Sequence, residues 1–142
     1  MEEKTKLYTM SATSTGGRNG HVRSDDGFLD LDLKSPAATG GPGGGTNPEA
    51  LFAAGYSACY NGAVWLAARL SRIKTGEVAV TASVTLNSDG DNRFIFSVKL
   101  QVVIPGVEQS VAEKLAQQAH TICPFSRSTH GNIEVETVVT TE

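Results

Sequence analysis

The pattern of apolar and polar positions divides the chain into a strand-rich first third, a long apolar helix, a hairpin, a second helix and a last strand. Over residues 6–15, Tyr8 and the threonines suit a strand, and "GGRNGH" follows, with Asn19 and Gly20 suited to the positive φ angles of a two-residue hairpin turn. Arg18 is therefore expected at or beside that turn. "HVRSDDGFLDLDL" carries a turn signal at Asp26 and Gly27, then alternates, with Leu29, Leu31 and Leu33 on one face and Asp30 and Asp32 on the other. That alternation predicts a half-buried strand. Residues 34–47, "KSPAATGGPGGGTN", hold too much glycine and proline for a regular element, and a loop of this length within a compact domain is often functional.

"TNPEALF" marks a helix start. Asn47 suits the cap, Pro48 the first helical position, where its missing N–H costs nothing, and Glu49 complements the helix dipole. The end is expected between Leu70 and Lys74, with Arg69, Arg72 and Lys74 near the C-terminal dipole and Gly76 just beyond. Two strands follow: Val78, Val80, Ala82, Val84 and Leu86 share a face, and after "NSDGDN" so do Phe94, Phe96, Val98, Leu100, Val102 and Ile104. A second helix is predicted from about Val107 or Ser110 to Ile122, with Val111, Leu115, Ala119 and Ile122 at helical spacing and Ser110 to Glu113 matching a capping box. It ends at Cys123, because the residue before Pro124 is pushed out of the α region, and "NIEVETVVT" makes the last strand. The order β-β-β-α-β-β-α-β predicts an α+β fold, mostly antiparallel sheet with two main helices, in a single domain over residues 1–142.

Charge narrows the function classes. With 12 basic and 15 acidic residues the net charge is -3, so no basic surface for a phosphate backbone is implied, and nucleic acid is not an expected partner. "MEEKTKLYTM" lacks the apolar core of a signal peptide, which predicts a cytoplasmic protein. Residues 50–68 carry no formal charge, yet Asn61, Ser57, two glycines and many alanines make them a poor membrane span. A helix that is hydrophobic nearly all round is instead buried all round. A small sheet covers one side only, and the simplest second cover is the same helix from another copy, so a symmetric homodimer is expected.

The chain holds two cysteines, Cys59 within the apolar helix and Cys123 at a helix end. In a reducing compartment such a pair is seldom a permanent staple. Cys59 alone reads as a small buried hydrophobe. Cys123 stands just ahead of proline, where packing rarely demands sulfur, and if the two helices lie together the pair forms a dithiol that can cycle with a disulfide. A reactive thiol must ionise, and a buried one needs a nearby cation to do so. Arg18 is the candidate cation and Glu49 a carboxylate able to orient it by a bidentate pair. Glu49 precedes Cys59 by ten residues, roughly 15 Å along a straight helix and about 80° around it, so a direct contact between them is not expected. Metal binding competes for the same residues, since His120 and Cys123 form H-x-x-C with His130 and Cys59 in reserve, but the spacing matches no paired ligand motif. Neither a resident metal nor a cofactor is expected.

"TGGRNGHV", "NPEALFAAGYSACY" and "CPFSRSTHGNIEV" together resemble the organic hydroperoxide resistance proteins, the Ohr branch of the OsmC/Ohr superfamily, over essentially the whole chain. That resemblance implies an intertwined α+β homodimer that reduces organic hydroperoxides by thiol chemistry. Electrons would return from dihydrolipoamide or a lipoylated protein. It implies Cys59 as the peroxidatic cysteine, Cys123 as the resolving one, Arg18 as the activating arginine and Glu49 as its partner. The apolar surroundings of Cys59, with Phe52, Tyr56, Tyr60 and Trp65, are expected to favour alkyl or fatty acyl hydroperoxides. Two positions depart from the family pattern: Phe125 stands where tyrosine is common, and His130 where arginine is expected. A binding protein with an apolar pocket and a disulfide switch is the opposing reading, and the OsmC branch, closer in chemistry, is the nearer alternative.

Overall fold

The computed structural model describes residues 3–142. Its compact units are Met1–Pro48 and Glu49–Glu142.

The first unit is a three-stranded antiparallel sheet. β1 (Ala12–Thr15), β2 (His21–Ser24) and β3 (Asp30–Asp32) lie in the order β1-β2-β3, with Thr15 opposite His21 and Val22 opposite Leu31. β1 is shorter than the expected strand, since residues 3–11 carry no regular secondary structure. The β1–β2 connection also differs from the two-residue turn. Gly17–Asn19 form a 3-10 turn, and the positive φ angles fall at Gly16 and Gly17 rather than at Asn19 and Gly20. Gly20 is needed for a different reason: a Cβ there would lie 1.8 Å from the Thr15 carbonyl oxygen, so only glycine lets the chain close. Asn19 accepts a hydrogen bond from the Ser35 N–H at 3.0 Å, which ties this turn to the long loop. The Gly27 turn is as expected, with φ at 78°. Leu31 and Leu33 are covered but Leu29 stays 48% exposed, because β3 begins only at Asp30. The His21 ring lies between Asp30 and Asp32, and these hydrogen bonds raise its pKa above 6.5.

The second unit begins with α1 (Pro48–Leu70), followed by β4 (Ala79–Ser88), β5 (Phe94–Val103), α2 (Gln109–Ile122), α3 (Pro124–Thr129) and β6 (Val135–Thr140). β4 and β5 form a hairpin with Ala79 opposite Val103 and Ser88 opposite Phe94. β6 joins β5 in parallel, Val98 opposite Val135, through a crossover that contains α2 and α3, as a parallel pair requires. The α+β architecture is thus as read from the chain, with one parallel pair in its second sheet.

α1 ends by a device the sequence reading missed. Arg72, not Gly76, takes the left-handed conformation at φ 55°, the Ile73 N–H reaches the Ala68 carbonyl at 2.9 Å and the Arg72 N–H that of Arg69 at 3.1 Å. These are the two bonds of a Schellman motif, built on a residue with a Cβ. α2 also starts differently. Glu108 occupies the cap without a side-chain hydrogen bond, and Ser110 lies inside the helix rather than capping it. Gln109 instead donates to the Val139 carbonyl at 2.8 Å, pinning the helix to β6. α3 lies where the sequence pattern predicts no element, between the end of α2 and the last strand. Pro124 occupies its first turn, and Thr129 donates back to the Phe125 carbonyl at 2.8 Å. Six residues are too few to carry a helical repeat, so periodicity had nothing to register.

The core of this unit joins Tyr56, Tyr60, Val64 and Ala67 of α1 to Val98, Leu100 and Val102 of β5 and to Ala112, Leu115 and Ala119 of α2. Tyr60 donates to the Ala116 carbonyl at 2.6 Å, which fixes α1 against α2. α1 buries only one side here. Ala50, Ala54, Ala58, Gly62 and Trp65 lie exposed along the other, so the all-round burial expected of this helix is not met within the chain.

Because Arg72 holds a conformation that costs an L-residue about 1 kcal/mol, Arg72→Gly should raise the melting temperature by a few degrees. Thermal unfolding followed by circular dichroism tests this; an unchanged or lower Tm would show that the arginine side chain offsets the strain.

Candidate active site: a paired thiol between two helices

α1 presents Cys59 half-buried, and the break between α2 and α3 presents Cys123 fully buried; both are free thiols. Their side chains hydrogen-bond to one another, and the Phe125 backbone N–H adds a bond to Cys59. Residues 64 positions apart in the chain are thus brought together. The pre-proline position is the reason Cys123 can turn towards α1: its φ and ψ of -65° and 120° leave the helical region while its N–H still closes the last turn of α2 on Ala119.

Burial pushes the Cys59 thiol above its ordinary 9.0, and the hydrogen bond and charge of Cys123 push the same way; the Phe125 N–H opposes them. The dithiol environment therefore favours the protonated form, and ionisation of Cys59 requires a positive charge beyond these groups.

Around the thiols stands an aromatic wall. Phe52 meets Tyr56, Phe96 and Phe125 with ring centroids 6.1, 5.1 and 5.5 Å apart, and Tyr56 lies 5.4 Å from Phe125. Gly55 makes this possible, since a Cβ there would come within 2.9 Å of the Phe125 ring. Two of the four expected wall residues, Phe52 and Tyr56, belong to it. Tyr60 lies deeper, its hydroxyl committed to α2 and its ring 4.8 Å from that of His120. Trp65 does not join them: it is 60% exposed and stacks beneath Arg69, 5.4 Å from ring centre to guanidinium. Phe96 and Phe125, absent from the expected set, complete the wall. Phe125 stood in the sequence at the departure from the family pattern, and nothing in strand periodicity distinguishes Phe96.

From Tyr56, one turn from Cys59, runs a hydrogen-bond chain that is buried at its Tyr56–Ser126 end and partly buried beyond. The Tyr56 hydroxyl and Ser126 Oγ are 2.8 Å apart, Ser126 Oγ lies 2.7 Å from His120 Nδ1, and His120 Nε2 lies 2.8 Å from Thr137 Oγ1. Burial raises the Tyr56 phenol above 10.0 and lowers the His120 imidazole below 6.5. Both ring nitrogens of His120 are engaged, so H-x-x-C is not presented as a ligand pair, and among the described residues no three His, Cys, Asp or Glu side chains gather as a metal site. Tyr56, His120 and Ser126 also border a cavity of about 570 Å³ with Arg127, His130 and Ile133 on its walls.

Glu49 sits partly buried in the first turn of α1. Arg18 sits exposed in the 3-10 turn of the first unit.

The α+β fold thus sets two neighbouring free thiols beside a group of aromatic rings. The sequence pattern of OsmC-like proteins matches residues 41–138. The chain is 44% identical to the organic hydroperoxide resistance protein of Xanthomonas axonopodis pv. citri, covering 91% of this chain and 92% of that one. Among solved structures, an organic hydroperoxide resistance protein from Elizabethkingia anophelis superposes with a TM-score of 0.94 at 46% identity, covering 98% and 100% of the two chains. One from Legionella pneumophila gives 0.93 at 43%, covering 96% and 99%. The chain belongs to the OsmC-like family, in its organic hydroperoxide resistance branch.

Because the folded protein holds His120 neutral while the unfolded chain protonates near 6.5, its contribution to stability is full above that pH. It is lost as pH falls through the lower folded value. The Tm difference between pH 7.5 and pH 5 should therefore shrink in His120→Gln relative to the native protein, as measured by calorimetry; an equal difference in both would assign the acid sensitivity elsewhere.

Proposed function

We propose that the protein is a cysteine-based peroxidase that reduces organic hydroperoxides to alcohols, in the cytoplasm, without a resident metal or cofactor. The observation that carries this reading is the hydrogen-bonded Cys59–Cys123 pair. Membership of the organic hydroperoxide resistance branch supports the substrate class.

In the first step the Cys59 thiolate attacks one peroxide oxygen, the O–O bond breaks, the alkoxide leaves and takes a proton to become the alcohol, and Cys59 becomes a sulfenic acid. Cys123 then attacks that sulfur; its thiol proton and the sulfenic hydroxyl depart as water, and a disulfide forms. A dithiol such as dihydrolipoamide or a lipoylated protein reopens the bridge by exchange, leaving two thiols here and a disulfide on the donor. Arg18 is assigned the cation that stabilises the thiolate, since burial and Cys123 both resist ionisation. Glu49 is assigned to hold that guanidinium. Phe52 and Tyr56, with Phe96 and Phe125, form the apolar surface against which an alkyl or acyl chain would lie. Tyr60 supports that surface from within, and the exposure of Trp65 argues against an equal part for it.

The exposed stripe Ala50, Ala54, Ala58 and Gly62 of α1 supports a homodimer in which this face meets its counterpart in a second copy, because small side chains let two helix backbones approach closely.

Cys59→Ser should abolish turnover, while Cys123→Ser should accumulate a sulfenic acid that a dimedone-type reagent traps by mass spectrometry. Arg18→Met should slow the first step by about 100-fold, in keeping with removal of one electrostatic stabiliser, with partial recovery in Arg18→Lys. Persistence of both thiols in folded protein after one equivalent of an alkyl hydroperoxide would instead favour the binding-protein reading. Ala58→Glu should convert a dimer to monomer in light scattering, and a monomeric native protein would remove the dimer from the proposal.

A further inference from the structure

The two thiols and the Tyr56–Ser126 hydrogen bond stand in a fixed relation. Tyr56 precedes Cys59 by three residues, one turn of α1, and Ser126 follows Cys123 by three, one turn into α3. The two contacts therefore join the same pair of segments, one through sulfur and one through oxygen, about a helical turn apart. The oxygen contact is anchored. Ser126 is held from behind by His120 of α2, itself held by Thr137 of β6, so one chain of bonds of 2.8, 2.7 and 2.8 Å connects all four elements. Tyr56 is fully buried and Ser126 nearly so, and water has little access to replace either partner.

We propose that Tyr56, Ser126 and His120 are positioning residues that hold Cys123 against Cys59, and so set how readily the disulfide closes. None of the three exchanges electrons or bonds in the reaction; each acts by keeping the α3 segment in register with α1. α3 has need of this. It is six residues long, and a helix so short does not hold itself in place. The consequence for turnover rests on the peroxidase reading: a loosened Cys123 leaves the Cys59 sulfenic acid exposed to a second peroxide and to irreversible sulfinic acid.

The first test does not require peroxidase activity. The reduced protein is equilibrated with glutathione and its disulfide, where one glutathione disulfide and the protein dithiol yield the protein disulfide and two glutathiones. The equilibrium constant reads the effective concentration of one cysteine at the other. Tyr56→Phe, which keeps the ring, and Ser126→Ala should each lower it about tenfold, and the double variant should fall no further than Ser126→Ala alone, because that change already removes the Tyr56 bond along with the one to His120. A constant equal to the native one, or fully additive losses, would overturn the proposal.

The second test takes Ser126→Ala, which leaves the apolar surface beside Cys59 untouched, with an alkyl hydroperoxide in rapid mixing. The first oxidation of Cys59 should keep its native rate within about twofold, while disulfide closure slows about tenfold and the sulfinic fraction per turnover rises by mass. Equal slowing of both steps would mark general damage and overturn the positioning role. If the native protein forms no sulfenic acid, the peroxidase reading fails while the glutathione result still decides the positioning role.

Discussion

The contact between Cys59 and Cys123 is the constraint on which the rest of this structure depends. A thiol on a long apolar helix can meet one at the end of another helix only if the two backbones come unusually close. Three local features serve that approach. Pro124 forces Cys123 out of the α2 spiral, Gly55 removes the Cβ that would strike the Phe125 ring, and Tyr56 reaches across to Ser126. Each is a small change in a side chain, and each acts within one helical turn of a sulfur.

That proximity has an electrostatic cost. Burial and the contact with Cys123 raise the free energy of forming the Cys59 thiolate, as its upward shift reflects. The pair is arranged for closing a bridge rather than for ionising. A peroxidase needs both properties, so the proposed division of labour gives ionisation to a cation, Arg18, and closure to the hydrogen-bond chain from Tyr56 to Thr137. The aromatic rings of Phe52, Phe96 and Phe125 contribute a third property, an apolar lining that a hydrocarbon tail can share.

α1 connects these functions. Its inner side carries Tyr56 and Tyr60 into the core, fully buried, and its outer side carries a file of alanines with Gly62. Cys59 lies between, half-buried, as its proposed role as a shielded yet reachable nucleophile requires. The low charge of this helix, which at first suggests complete burial, reflects large buried rings on one side and small exposed residues on the other.

Much of this was legible before any coordinates. Alternation located the faces of β4 and β5, "TNPEALF" located the start of α1, and Cys123 ahead of Pro124 located the end of α2, because these depend on neighbours within a turn or two along the chain. The tertiary structure decided what short-range pattern does not encode. Arg72 adopts a left-handed conformation because two carbonyls at the end of α1 need partners, α3 forms although it is too short to show a period, and Trp65 stays exposed although its type suggests burial. Above all, Ser126 carries no signal in the sequence pattern, and His120 stands there only as half of H-x-x-C. Their meaning lies in bonds to Tyr56 and Thr137, 70 residues back and 17 residues on, and contacts of that span exist only once the sheet and helices have packed.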